Sequence, residues 1–239
     1  MEKREKLSVI INIIFALLIL CADFVFIFSS ISSYITKTTA SLLFVLCGVF
    51  NFVYWFKKIK QSGNLNFAIT LLVGLFFAML GDIFLIDFFV LGAGLFALGH
   101  VLFFVSFCFL IKFSLKDILI GILIFALVLA LIVFYPHFVF DGMMPLVIVY
   151  ALIISLMLGK AVSNLFKKQN FKECLVIFIG ALLFFVSDAM LLFYVFAHKV
   201  FVFDLICLLT YYPAEFILAF SIYFASVNFV KKSQTIRKN

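Results

Sequence analysis

Charge is what this sequence has least of. Only 12% of its 239 residues are charged, about half the share that a soluble domain carries, and 67% are hydrophobic. A soluble globule of this length has no way to hide so much apolar surface, so a water-soluble fold is excluded and lipid is the fitting solvent. The alternation of apolar and polar residues that marks a membrane β-barrel is missing as well. The apolar runs instead continue unbroken for about 20 residues, enough to cross roughly 30 Å of hydrocarbon as a helix. A helix also satisfies its own backbone polar groups there.

Other absences narrow the function. No loop between apolar runs exceeds about ten residues, so no extramembrane domain is expected and any chemistry takes place within the bilayer or at its edge. The five cysteines, Cys21, Cys47, Cys108, Cys174 and Cys207, all fall in predicted helices and form no CxxC pair. That predicts free, buried thiols and neither disulfides nor a cysteine metal site. Of the three histidines only His100 is intramembrane, too few for a His-rich zinc site. There is no G-x-S-x-G elbow, no P-loop and no dinucleotide glycine fingerprint. The net charge of +7 sits in short interhelical loops, where it suits anionic lipid and predicts no nucleic-acid partner.

The fold class that follows is all-α: a polytopic membrane protein with about eight transmembrane helices, forming one integral membrane domain over residues 1–239. The apolar blocks run roughly Ser8–Ser30, Thr38–Phe56, Leu65–Asp87, Leu91–Ile111, Leu115–Tyr135, Met143–Leu165, Glu173–Ala197 and Val200–Val230. The basic start Met1–Lys6 looks like that of a signal peptide. Its apolar stretch to Phe28 is too long for a signal core and lacks an A-x-A site, which predicts a retained first helix. Fifteen Lys and Arg residues fall at the termini and in the alternate loops that share their side, against Lys37 and Lys199 on the other, with Lys160 inside a helix. This asymmetry predicts that both termini are cytoplasmic, in what is expected to be a bacterial cytoplasmic (inner) membrane.

A short internal echo suggests two four-helix parallel repeats, with halves at 1–113 and 114–239. The third block contains Gly74 and Gly81-Asp82, the seventh Gly180 and Ser187-Asp188. In each, the small residues at i and i+7 lie on one helix face beside the acid and form a close-packing seam. Four helices separate the copies, so they cross the bilayer in the same direction, as a parallel repeat requires.

Ionisable groups inside a membrane helix cost at least ~2.5–3.5 kcal/mol each on insertion scales, so each one present needs a reason. From the outer end, at 1.5 Å per residue, Asp82 lies about 8 Å down, Asp23 about 10 Å, Asp188 and His100 about 14 Å and Glu215 about 22 Å. A shared polar cavity is the economical explanation, and Tyr150, Tyr211 and Tyr212 stand near the same depths. Each group also has a plain structural reading. Asp23 reaches water at a helix end, Asp82 snorkels outward, His100 bridges two helices where Gly99 allows close approach, and Asp188 pairs between helices. Lys160, near the cytoplasmic end, is expected to snorkel to water on its long stem. A carboxylate-rich pocket with one histidine and several phenols suits acid/base chemistry on a neutral bond, or a proton or cation path through a transporter. A third reading makes the acids simple locks between helices.

The motifs Gly81-Asp82-Ile-Phe-Leu, Gly94-Leu-Phe-Ala-Leu-Gly-His100, Ser187-Asp188-Ala-Met-Leu and Thr210-Tyr211-Tyr212-Pro-Ala-Glu215 resemble, in order and spacing, those of the YhhN/TMEM86 family of lysoplasmalogenases. Tyr150 resembles the family's tyrosine in the sixth helix, and Glu215 stands where the family more often has Gln. The resemblance implies hydrolysis of the vinyl ether bond of a lysoplasmalogen to a fatty aldehyde and glycerophosphoethanolamine or glycerophosphocholine. It implies Asp82 and Asp188 as catalytic acid and base, in an order left open. His100, Tyr150, Tyr211, Tyr212, Glu215 and Asp23 would form the pocket. The partners expected are a lysophospholipid substrate and membrane lipids, with no metal and no organic cofactor.

Overall fold

The computed structural model describes residues 3–29, 33–167 and 170–236, with side chains for all of these except 33 and 227–236. Lys168, Arg237 and Lys238, which enter the charge asymmetry, lie outside the described residues, as do the side chains of Lys231 and Lys232. Eight helices follow one another, with no strand among the described residues: α1 Lys3–Phe28, α2 Ser33–Ser62, α3 Leu65–Leu85, α4 Phe89–Leu110, α5 Leu115–Phe134, α6 Met144–Phe166, α7 Phe171–Phe196 and α8 Phe201–Ile236. All eight are long and apolar enough to cross a membrane. The chain is an integral membrane protein. Pro213 lies inside α8 without ending it.

Without a hydrophobic drive between helices in lipid, close packing and polar contacts must hold the bundle. Both are visible. On α3 and α4, a Cβ added to Gly99 would lie 3.3 Å from the carbonyl oxygen of Gly74, and one on Gly74 would meet the Phe103 ring at 2.6 Å. The predicted seam on α3 therefore packs against α4. The matching seam on α7 packs against α8: Gly180 faces Leu218 and Ala214, and Ser187 Oγ lies 3.4 Å from Cys207 Sγ. Helices α1 and α2 are joined inside the membrane by a reciprocal amide pair, Asn12 with Asn51 at 3.0 and 2.7 Å, and by the Trp55 indole N–H donating to Ser8 Oγ at 2.9 Å.

Helix α5 packs on α6 alone among the helices, and its anchors lie in its first turns. Backbone meets backbone there, since a Cβ on Gly159 would sit 2.4 Å from the Cα of Gly121. Beside this contact Asp117 accepts from Lys160 Nζ at 2.7 Å and from Lys167 Nζ at 2.9 Å. Lys160 also donates to the Ile111 carbonyl at 2.9 Å. The expected snorkelling of Lys160 is thus corrected: its side chain is 0% exposed. The reason is Asp117, which turns back to accept from the Ser114 backbone N–H at 2.8 Å and so presents a carboxylate nearer than water.

Among the described residues no disulfide forms. Cys47 and Cys207 are buried as expected, but Cys21 faces outward from α1, because the lipid-facing side of a first helix needs no polar partner for a thiol.

Candidate active site

Two aspartates, late in α3 and in α7, are held in the same manner. Asp82 Oδ2 accepts from Ser41 Oγ of α2 at 2.5 Å and from the Tyr211 hydroxyl of α8 at 2.8 Å. Asp188 Oδ2 accepts from the Tyr150 hydroxyl of α6 at 2.7 Å and lies 3.1 Å from His100 Nε2 of α4. His100 Nε2 and the Tyr150 oxygen are themselves 2.9 Å apart. In both cases the carboxylate takes a hydroxyl from the helix before its own and a donor on a ring from the helix four places from its own packing partner: α8 serves α3, and α4 serves α7.

The helix packing follows the same exchange. Helix α1 pairs with α2 and α5 with α6; α2 packs on α3 and α6 on α7; α3 packs on α4 and α7 on α8; α2 packs on α8 and α6 on α4. Two close backbone approaches have no counterpart among the described residues. The backbones of α3 and α8 approach each other, whereas α4 and α7 meet through side chains alone, His100 with Asp188 and Phe184; helix α1 packs on α8, whereas the α5 backbone stays apart from α4.

A cavity lies beside Asp188, with a volume of about 160 Å³. Its walls are apolar side chains of α4, α5, α6 and α7, among them Ala93, Phe96, Val128, Ala151 and Ala189, and its polar lining is Asp188 and Tyr150. The α5–α6 connection packs on the end of α7, whose Phe196 is part of the lining. Val139 N–H donates to the Phe196 carbonyl at 2.7 Å, and Phe138 and Phe140 pack on Phe193 and Phe196. Asp188 lies eight residues before the end of α7, about 12 Å inside it. Its side chain is 13% exposed, and that of His100 is 1% exposed.

The single polar cavity expected from depth is not what forms. Asp82 is 4% exposed and Tyr211 5%, and neither lines this cavity. Tyr211 belongs with Asp82, and Tyr212 is buried with its ring centroid 4.8 Å from that of Tyr211. Asp23 and Glu215 are both 0% exposed, and among the described residues neither carboxyl has a hydrogen-bond partner. Asp23 therefore does not reach water at the helix end. Phe184 stands between the two groups, edge-on to His100 at 4.5 Å and to Tyr211 at 5.3 Å. Depth along a helix gives height only; the direction in which each residue faces decides its company.

Ser41 and Phe184 were missed in the sequence. A lone serine near a helix end and one phenylalanine of 37 carry no signal of their own. Among the described residues, no group of three His, Cys, Asp or Glu side chains stands close enough to share a metal ion. Chemically, the arrangement offers a carboxyl at the wall of an apolar cavity, oriented through one oxygen by a phenol and an imidazole.

Neither the curated proteins nor the solved structures contain a match to this chain. The model of the YhhN family matches residues 32–222, a span that holds both aspartates, their four hydrogen-bonding partners and Glu215 but not Asp23. On that match over most of its length, the chain belongs to the YhhN family.

Proposed function

We propose that this protein is a lysoplasmalogenase, hydrolysing the vinyl ether of a single-chain lipid by carboxyl acid/base catalysis inside the membrane. The observation that carries the reading is Asp188. It is a carboxyl bordering an apolar cavity in a member of the YhhN family. The alkenyl tail lies along the apolar walls, and the ether oxygen and its double bond stand at Asp188.

A vinyl ether is opened by protonation of its β-carbon, which makes an oxocarbenium ion. Water then adds to give a hemiacetal that collapses to aldehyde and alcohol. The protein must supply a proton donor fixed against the double bond, a negative group near the cation and an environment dry enough to strengthen both. A carboxyl held by Tyr150 and His100 in an apolar wall supplies all three. An alkyl ether has no π-bond to protonate. An ester needs a nucleophile and oxyanion donors, which the cavity lining does not offer.

Incubation of the purified protein with a 1-alkenyl lysolipid is expected to release fatty aldehyde, more slowly in D₂O because proton transfer to carbon limits the rate. The 1-alkyl and 1-acyl analogues compete for the cavity and stay intact. Release of fatty acid from the ester as fast as aldehyde from the vinyl ether would sink the reading in favour of a general lysophospholipase.

The termini belong on the cytoplasmic face in this reading, because fifteen of the eighteen basic residues lie on that side. Reporters at Lys58 and Lys167 are expected to read cytoplasmic and one at His137 the opposite side. A cytoplasmic signal from His137 would overturn the orientation.

A further inference from the structure

We infer that Asp188 is the one acid that meets the substrate, giving its proton from Oδ1 and recovering it on the same carboxyl, and that Asp82 is its closed counterpart and touches no reacting atom. The identity of the bond rests on the hydrolase reading above. Which acid can be reached from the cavity does not.

Hydrogen-bond geometry selects the oxygen. Asp188 Oδ2 already faces two partners, the Tyr150 hydroxyl at 2.7 Å and His100 Nε2 at 3.1 Å. His100 Nδ1 is buried with no partner among the described residues, so a hydrogen placed there would be an unpaired donor. The Nε2–H tautomer puts the hydrogen where acceptors are. With Tyr150 and His100 both donating to Oδ2, Oδ1 is the oxygen left to carry and pass on a proton. That oxygen is not among the buried, partnerless atoms, on a side chain that lines the cavity.

Packing explains why the other centre is shut. Asp82 also has two donors, the hydroxyls of Ser41 and Tyr211, but α8 packs directly on α3, and α1 packs on α8. The backbones of α4 and α7, and of α4 and α5, make no such close approach, α4 and α7 meeting through the side chains of His100, Asp188 and Phe184, and the cavity lies beside them. Helix α5 meets α6 backbone to backbone near Asp117 and Gly121, and farther along it Val128 and Ile132 line the cavity.

One carboxyl then suffices for the whole reaction. The Oδ1 proton passes to the β-carbon, the π-bond becoming a C–H bond, and Asp188 is left as a carboxylate beside the oxocarbenium ion. Water adds to the cationic carbon and its released proton returns to Asp188. The hemiacetal breaks its C–O bond to the glycerol, the hydroxyl proton moving to the departing oxygen. Net, one water is consumed and Asp188 ends as it began. Tyr150, the other polar group of the lining, already donates to Asp188 and needs to give up no proton.

The test pairs labelling with kinetics on the purified full chain. Dicyclohexylcarbodiimide, an apolar reagent for protonated carboxyls, is expected to modify Asp188 by mass spectrometry, and a 1-alkyl lysolipid to protect it. Preferential modification of Asp82, Asp23 or Glu215, or of no acid at all, would overturn the inference whatever the enzyme's activity. In turnover, Asp188→Asn is expected to lower kcat by at least ~10²-fold while still binding the 1-alkyl lysolipid. Asp82→Asn is expected to lose less than about tenfold. Equal losses in two folded variants would also overturn it, leaving the hydrolase reading intact. A wild-type protein that labels at Asp188 but cleaves no vinyl ether would fail the reading and uphold the accessible acid.

Discussion

Asp82 and Asp188 each accept hydrogen bonds on one oxygen, from a hydroxyl on the preceding helix and a ring on α8 or α4, yet Asp188 borders a cavity and Asp82 does not. The donors do not make the difference. Helix packing does: the backbones of α3 and α8 approach each other closely, whereas those of α4 and α7 stay apart and meet only through side chains. In a membrane bundle an open space must be maintained against lipid and against neighbouring side chains, and here α4 to α7 wall it. A pair of like-built centres can thus diverge in access while keeping the same hydrogen-bonding plan. Access is a property of the third and fourth neighbours, not of the carboxylate.

The largest effect that separates the centres is the loss of at least ~10²-fold for Asp188→Asn, against less than about tenfold for Asp82→Asn, described above. Next comes a change that closes the open centre. Ala93→Phe adds a ring to the α4 wall of the cavity, where overpacking costs about 1–3 kcal/mol. Binding of a 1-alkyl lysolipid, followed by its inhibition of turnover, should weaken by roughly tenfold or more, with the protein still monodisperse in detergent. Unchanged affinity would mean that the tail lies elsewhere. The smallest effect compares the two phenols. Tyr150→Phe removes a donor worth about 1.5 kcal/mol to a carboxyl facing the substrate, so kcat should fall about tenfold. Tyr211→Phe removes the equivalent donor from the closed centre and should change kcat less than about threefold. Reversal of that order would shift the chemistry to Asp82.

Much of this was legible from residue order. Apolar run length and the scarcity of charge led to eight helices whose ends agree with the structure to within a few residues for α3 to α7. Helix α2 runs on to Ser62, past the lysines that seemed to end it, because Lys57 to Lys60 still extend a helix once it leaves the lipid. The Gly74, Gly81, Gly180 and Ser187 seams were visible as spacing and do pack against neighbouring helices. Lys160 was misjudged because its partner, Asp117, comes from another helix, 43 residues away.

What the sequence determined alone is the class of solvent, the number of crossings and the height of each polar group, since these depend on local hydropathy and on a fixed rise per residue. Tertiary structure decided who meets whom. It joined Asp188 to His100 and Tyr150, gave Tyr211 to Asp82, and left Asp23 and Glu215 buried without partners among the described residues. Such pairings turn on the rotation of each helix about its axis and on which helices touch, and neither is written in any single run of residues. A cavity is further still from the sequence, because it is made of contacts that do not form.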